Sequence, residues 1–120
     1  MTQIHYLKWP NLQAPSHPGP MLTLVKDIRQ EVLSMERGDC TIVVHCSDGS
    51  GRTGTLISLY QLMEMMDERF ESNRLSDASL CTTTDEMIKN GIDVFETVFN
   101  LRSRRSYMVS NKNMDLTLEY

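Results

Sequence analysis

A cysteine and an arginine stand at the two ends of a short glycine-rich loop. Cys46 and Arg52 enclose five residues, and three glycines lie within residues 49–54. Residues 41–44 are apolar and predict a short buried strand leading into the loop, while the segment from Arg52 onward has helical character. Glycines let successive backbone N–H groups turn inward, and a following helix directs its N-terminus at the same point. This layout predicts a loop that holds a phosphate dianion against a thiolate.

Each reactive side chain of this loop has a defined chemical role in such a site. The Cys46 thiolate serves as nucleophile, since positive surroundings lower the pKa of a thiol. The planar guanidinium of Arg52 fits two phosphate oxygens, and the Thr53 hydroxyl hydrogen-bonds the sulfur. The alternative is a plain strand-to-helix turn around a buried cysteine, which requires Cys, Arg, Thr and three glycines to coincide by chance. The residues predicted to bind phosphate are Ser47, Asp48, Gly49, Ser50, Gly51 and Arg52.

The loop and three further segments resemble the protein tyrosine phosphatases. Residues 45–54 are similar to that family's active-site loop, Cys-X5-Arg-Ser/Thr. Residues 3–10 resemble the strand entering the family's Trp-Pro-Asp loop, and residues 93–102 and 105–109 resemble the helix and segment that precede its glutamine loop. The spacing is similar to the receptor-type, tyrosine-specific branch. The resemblance implies phosphotyrosine hydrolysis through a cysteinyl-phosphate intermediate.

Asn11 stands where the family carries the aspartate of its Trp-Pro-Asp loop. In the family, that aspartate protonates the leaving tyrosine oxygen and then acts as base on the attacking water. An amide donates no proton at neutral pH, and general acid–base catalysis contributes about 10²–10⁴-fold to a rate. Residues 110–115 also lack the two glutamines that place the hydrolytic water in the family. Both departures predict impaired turnover with phosphate binding retained.

Asp48 is a further departure, because it places a carboxylate inside the loop where active family members usually carry alanine. Its charge repels a phosphate and raises the pKa of Cys46, which leaves less thiolate. Family members with an aspartate at this position are regarded as catalytically inactive. The alternative is that Asp48 points to solvent and affects neither group.

These residues leave two main hypotheses about function. The first is a tyrosine-phosphatase-like domain of impaired catalysis, a pseudophosphatase that acts as a phosphotyrosine-binding or regulatory module in signalling. The second is a weakly active protein-tyrosine phosphatase that uses Cys46 and Arg52, so the sequence leaves enzymatic activity undecided. A purely structural role is the remaining alternative. The expected partners are a phosphotyrosine protein or peptide and another phosphatase domain.

Composition excludes several other classes of function. The chain has 120 residues and a net charge of −4, which disfavours nucleic acid as a partner. Its three cysteines show neither paired nor metal-like spacing, so we expect a reducing compartment and no metal or cofactor. The sequence contains no signal-peptide pattern and no apolar run long enough to span a bilayer. We therefore expect a cytoplasmic chain, or the intracellular part of a receptor.

The fold expected from the pattern and the resemblance is α/β, a partial tyrosine-phosphatase-like fold in which helices pack on a fragment of a twisted sheet. Two strands are predicted, at residues 3–9 and 40–45, together with helices at residues 20–35, 52–70 and 93–104. Asp93 is predicted to cap the last helix, whose residues Val94, Phe95, Val98 and Leu101 are predicted to be buried. With most partner strands absent, we expect exposed apolar faces. We expect residues 1–120 to form the C-terminal portion of a tyrosine-phosphatase-like domain. Within it, residues 1–20 are predicted to form a strand and the Trp-Pro loop, and residues 41–70 the phosphate-binding loop and its helix. Residues 71–91 are predicted to form an insertion loop, and residues 92–109 a helix and exit segment.

Overall fold

Three helices make up the regular structure of the computed structural model, which describes residues 2–10, 13–15, 17–35, 40–76 and 91–110. Helix α1 spans Gly19–Ser34, α2 spans Gly51–Ser76 and α3 spans Val94–Arg104. Helix α2 is central, because α1 and α3 both pack against it. The described part of the chain is therefore a three-helix arrangement.

The predicted α/β class is wrong for the described residues, which contain no strand and no sheet. A strand exists only where a neighbouring segment exchanges backbone hydrogen bonds with it. Within the described part, residues 3–9 and 40–45 make no such bonds with another segment. Val43, which lies within the second of these segments, is 80% exposed, so the predicted strand at this position is neither hydrogen-bonded to a partner strand nor buried.

The N-termini of the first and last helices are stabilised by different groups. Pro20 occupies the first turn of α1, where its missing N–H costs nothing, and the amides of Met21 and Leu22 donate to the Pro18 carbonyl, each at 3.1 Å. Asp93 caps α3, accepting the amides of the second and third helical residues at 2.8 and 3.2 Å through Oδ1. The predicted Asp93 cap is thus confirmed.

Helix α2 extends beyond its predicted end. It continues to Ser76, so the first residues of the predicted insertion loop at 71–91 are helical. Gly91 forms a turn before α3. The rest of that predicted loop, residues 77–90, lies outside the described residues.

A small apolar core lies between the helices and the loops. Val25 is fully buried, and Trp9, Met21 and Met108 are each less than a tenth exposed. The predicted buried face of α3 is wrong in part, because Val94 and Phe95 are exposed whereas Val98 and Leu101 are half-buried. The residue of α3 that packs inward is Thr97, at 7% exposure. Large apolar side chains consequently face water, among them Leu7, Leu33, Val43, Phe95 and Phe99.

One arginine joins the first two helices. Arg29 of α1 forms an ion pair with Asp67 of α2, with Nη1 and Oδ2 2.7 Å apart. The same guanidinium lies over the ring of Tyr60, 6.0 Å from its centroid. Arg29 therefore contacts α2 at positions seven residues apart, which is two turns of one helix face.

Candidate functional site

The segment 46–50 turns sharply and delivers the chain into α2. Gly49 has φ +70, in the left-handed region that suits glycine. The Ser50 carbonyl accepts the Gly54 amide at 2.8 Å, which closes the first turn of the helix. Gly51 begins α2 one residue before the predicted position. The Cys46–Arg52 loop, as we call residues 46–52, thus leads directly into a helix N-terminus.

The Cys46 sulfur lies among hydrogen-bonding groups of its own loop. Its thiol donates to Oδ1 of Asp48 over 3.1 Å, and the Gly49 amide donates to the sulfur over 3.2 Å. Burial raises the pKa of the thiol, while the nearby hydroxyl of buried Thr53 lowers it and the Asp48 carboxylate raises it again. Among the described residues the Thr53 hydroxyl has no hydrogen-bond partner, so the predicted hydrogen bond to the sulfur is not formed here. Backbone amides of Thr53 and Asp48 also stabilise the anion, and the resulting pKa lies below the ordinary cysteine value.

The Asp48 carboxylate turns back onto the loop. Its Oδ2 accepts the Ser50 hydroxyl at 2.5 Å, and its Oδ1 accepts the Ser50 amide at 3.4 Å as well as the Cys46 thiol. These bonds, the Ser50 hydroxyl above all and then the Cys46 thiol, hold the pKa of Asp48 far below its usual range. The side chain is solvent-accessible, yet its oxygens are bound to the loop.

Arg52 connects the loop to the segment that contains Trp9. Its Nη1 donates to the Trp9 carbonyl over 3.2 Å, and its Nη2 donates to the Ser47 hydroxyl in a short hydrogen bond. The Trp9 indole N–H donates to the Gln13 carbonyl over 2.7 Å. Arg52 therefore fixes both the start of the loop and the Trp-Pro segment, while Asn11 lies outside the described residues.

A segment after α3, residues 105–110, lies across the loop, and we call it the clasp. Arg105 Nη2 donates to the Asp48 carbonyl over 3.1 Å, and the Val109 amide donates to the Ser50 carbonyl over 3.2 Å. Arg102 Nε donates to the Met108 carbonyl over 3.0 Å, which ties the clasp to the last turn of α3. The loop is thus bound to residues more than fifty positions away in sequence.

The clasp approaches so closely that the helix start must be glycine. A Cβ on Gly51 would lie 2.7 Å from the Ser110 carbonyl oxygen. A Cβ on Gly54 would collide with the backbone nitrogen of Val109. The clasp itself is conformationally demanding, because Tyr107 and Val109 have φ of +64 and +60.

The residues predicted for the site lie close together, whereas the clasp was not predicted. The predicted residues Cys46, Ser47, Asp48, Gly49, Ser50, Gly51, Arg52 and Thr53 all lie in one loop and the first turn of α2. Arg105 follows two arginines in the last turn of α3, where basic side chains ordinarily complement the helix dipole, yet its guanidinium binds the loop. This cluster of arginines at the end of a helix was a signal in the sequence, but it did not indicate which atom Arg105 contacts.

The described residues offer neither a metal cluster nor a membrane span. Among them, no three His, Cys, Asp or Glu side chains are grouped so that they could hold a metal ion. No helix within the same residues has the length and apolar character needed to cross a bilayer. Cys40 and Cys46 are both free thiols.

Comparison with known proteins decides the family. The model of the family "Protein-tyrosine phosphatase" matches residues 1–114. The chain belongs to the protein-tyrosine phosphatase family. Within this family it is 32% identical over 111 residues to Tyrosine-protein phosphatase 69D of Drosophila melanogaster, covering 92% of the chain and 6% of that protein.

Other members of the phosphatase family match at similar levels. Receptor-type tyrosine-protein phosphatase-like N of Homo sapiens is 32% identical over 114 residues, covering 94% of the chain and 9% of that protein. Receptor-type tyrosine-protein phosphatase zeta of Homo sapiens is 28% identical over 112 residues, covering 93% of the chain and 4% of that protein. The chain spans less than a tenth of the length of these relatives. No solved structure matches it significantly.

Proposed function

We propose that this chain is a phosphatase-like module that binds a phosphotyrosine protein or peptide in the Cys46–Arg52 loop and turns it over poorly or not at all. The observation that carries the proposal is the position of the Asp48 carboxylate. Its two oxygens accept hydrogen bonds from the Cys46 thiol and from both Ser50 donors. The carboxylate thereby takes up Ser50 donors that belong to the proposed phosphate-binding set.

This arrangement opposes the first chemical step in two ways. The hydrogen bond from the thiol to the carboxylate favours the protonated form of Cys46, whereas the nucleophile must be the thiolate. The Asp48 carboxylate is ionised at neutral pH because its pKa is strongly lowered, so it repels an approaching phosphate dianion. Asn11 adds the loss of a general acid at the position that the family resemblance assigns to it.

The rest of the loop supports retained binding of an anion. Arg52 provides a planar cation at the end of the loop, and the N-terminus of α2 begins at Gly51. Arg105 brings a second guanidinium onto the loop from the clasp. These positive groups favour an oxyanion whether or not catalysis follows.

A weak phosphatase is the second candidate, and one observation favours it. The net effect on Cys46 is a lowered pKa, because Thr53 and backbone amides outweigh burial and Asp48. The lowered pKa favours the thiolate form of Cys46, and Arg52 stands at the end of the same loop. In this case hydrolysis would pass through a cysteinyl-phosphate intermediate with Cys46 as nucleophile.

We further propose that the module acts in signalling on the cytoplasmic side of a membrane, as the intracellular part of a receptor. Two observations support this setting. The curated relatives include proteins named receptor-type phosphatases, and Cys40 and Cys46 are unpaired thiols that a reducing compartment preserves. A second phosphatase domain is the other partner that we propose.

The decisive experiment measures binding and hydrolysis of a phosphotyrosyl peptide by the same preparation. We expect the unmodified chain to bind the peptide without measurable turnover above a Cys46→Ser control. The double variant Asn11→Asp/Asp48→Ala is expected to gain about tenfold or more in turnover, since a general acid alone contributes about 10²–10⁴-fold. Arg52→Lys is expected to weaken binding because it removes the planar fork.

Three results would contradict the proposal in different ways. Turnover by the unmodified chain that disappears in Cys46→Ser would establish the weak phosphatase instead. An absence of binding in a chain whose thermal melt shows a cooperative transition would remove the phosphotyrosine role altogether. Equal binding by the Arg52→Lys variant would show that the peptide attaches elsewhere.

A further inference from the structure

One peptide unit in the loop contacts both the clasp and the reactive sulfur. The carbonyl of Asp48 accepts a hydrogen bond from Arg105 Nη2 at 3.1 Å. The amide of Gly49 belongs to the same peptide unit and donates to the Cys46 sulfur at 3.2 Å. In a planar trans peptide the C=O and the N–H point in opposite directions. The structure contains no cis peptide among the described residues, so anchoring the carbonyl sets the direction of the N–H.

We propose that Arg105 is a positioning residue that turns the Asp48–Gly49 peptide so that its N–H points at the Cys46 sulfur. Arg105 bonds to the Asp48 carbonyl and the Gly49 amide bonds to the sulfur, so we infer that Arg105 acts on Cys46 through the backbone. The inference rests on the proposed function, since it takes Cys46 as the group that the loop serves. It goes further by assigning a role to Arg105, which lies in the segment 105–109 but received no role from the family resemblance.

The conformation of the loop shows why an external anchor is needed. Gly49 has φ +70, and a glycine in that region has little intrinsic preference for one orientation of its peptide. The Arg105 guanidinium lies against it, so that a Cβ at Gly49 would be only 3.0 Å from Nη2. The arginine therefore occupies the space beside the glycine and fixes the peptide that precedes it.

The clasp, in turn, fixes Arg105. Arg105 follows the last turn of α3, and its amide donates to the Leu101 carbonyl over 3.0 Å. Further along the clasp, the Val109 amide binds the Ser50 carbonyl and Arg102 binds the Met108 carbonyl. The clasp is thus anchored at both of its ends, and this anchoring holds the Arg105 guanidinium against the loop.

The charged and titratable groups that face Cys46 in the described part of the chain are few. Asp48 lies within the loop, Arg52 stands at its end and Arg105 reaches it from the clasp, while His45 is the exposed chain neighbour. Replacing Arg105 removes both a hydrogen bond and a positive charge. The experiment must therefore separate orientation of the peptide from simple electrostatic attraction.

The test measures the rate at which iodoacetamide alkylates Cys46 as a function of pH, in a Cys40→Ser background read by peptide mass spectrometry. For Arg105→Ala we expect a curve displaced to higher pH and a rate at neutral pH about threefold lower, since an N–H bond to the thiolate is lost. The matched control is Arg104→Ala, which removes an exposed arginine at the neighbouring position. Arg105→Lys retains the charge and one donor and is expected to restore part of the rate.

Salt distinguishes the two mechanisms. At about 1 M salt the Debye length falls to about 3 Å, so a through-space charge effect is largely screened while a change of peptide orientation persists. A difference that vanishes at high salt, or a curve for Arg105→Ala that matches Arg104→Ala, would overturn the inference. If Arg105→Ala loses its cooperative thermal transition, Arg105→Gln takes its place. A curve for Arg105→Gln that is displaced to higher pH at both low and high salt, with the Arg105→Lys curve between it and the unmodified chain, supports the positioning role. A curve for Arg105→Gln that coincides with the unmodified chain overturns it.

Failure of this inference and failure of the proposed function give different results. Alkylation needs no phosphorylated ligand, so a displaced curve in Arg105→Ala supports the positioning role even when no variant binds a phosphotyrosyl peptide. Conversely, peptide binding with unchanged alkylation would support the proposed function and reject the role of Arg105.

Discussion

The Cys46 thiol donates a hydrogen bond to Oδ1 of Asp48, 3.1 Å away and two residues further along the chain. This contact places the thiol proton between a sulfur and a carboxylate. The bond acts on the two partners in opposite senses, because it raises the pKa of the thiol and lowers the pKa of the acid, although the net pKa of each group lies below its ordinary value. The local chemistry of the loop is therefore set as much by Asp48 as by Arg52.

Replacement of Asp48 by alanine is expected to make Cys46 more reactive. Because the carboxylate stabilises the protonated thiol, its removal lowers the pKa of Cys46 further, and the pH profile of alkylation moves to lower pH. We expect alkylation near neutral pH to be about threefold faster. Asp27→Ala on the exposed face of α1 is the control, and a profile equal to that control would show that the carboxylate does not hold the thiol proton.

Gly54→Ala is expected to destabilise the chain although alanine favours helices. Helix propensity alone predicts a gain of about 1 kcal/mol. The new Cβ would instead collide with the backbone of Val109, and such overpacking costs about 1–3 kcal/mol. Denaturant unfolding should show a net loss, whereas Gly19→Ala, where nothing lies within 4 Å, should change stability by less than about 0.5 kcal/mol. A stabilised Gly54→Ala variant would mean that the clasp does not lie against α2.

Removal of Arg29 should loosen α1 from α2. The ion pair with Asp67 is partly exposed and the contact with Tyr60 is a cation–π interaction, so together they contribute about 1 kcal/mol. We expect Arg29→Ala to lower the free energy of unfolding by that amount, with a smaller loss at high salt. Lys26→Ala, on the same helix and exposed, should leave it unchanged within error. Equal effects of the two substitutions would argue against the α1–α2 pairing described above.

Tyr107→Gly is expected to stabilise the clasp. Tyr107 is 77% exposed and has φ +64, a left-handed conformation that costs a residue with a Cβ about 1–2 kcal/mol. Glycine avoids that strain but adds about 0.5–1 kcal/mol of backbone entropy, so a net gain of roughly 0.5 kcal/mol remains. A thermal melt should rise for Tyr107→Gly and fall for Ser106→Gly, whose backbone is ordinary. A fall for both would show that the left-handed turn carries no strain.

The loop could be predicted from sequence because its information is local. Cys46, Gly49 and Arg52 stand within seven residues, and the glycines and the following apolar helix face specify a turn into α2. The Asp93 cap is local in the same way and was predicted correctly. The orientation of the Asp48 side chain could not be predicted, because the same sequence is compatible with a carboxylate that faces solvent and with one that faces the loop.

The parts that failed depend on distant neighbours. Residues 3–9 and 41–44 have strand-like composition, but a strand also needs a partner, and composition does not supply one. The apolar residues of α3 suggested a buried face, yet burial depends on which side meets α2, and Thr97 takes that position. Arg105 was missed for the same reason, because its contact with Asp48 spans 57 residues.

Trp9 is the single tryptophan of the chain. Its ring is buried, and its carbonyl oxygen receives Nη1 of Arg52, the residue that closes the loop. Any event that redirects the arginine must therefore disturb the surroundings of the protein's one indole. The chain thus contains an intrinsic fluorophore that reports on its loop, and ligand engagement there can be followed by emission without attaching a dye.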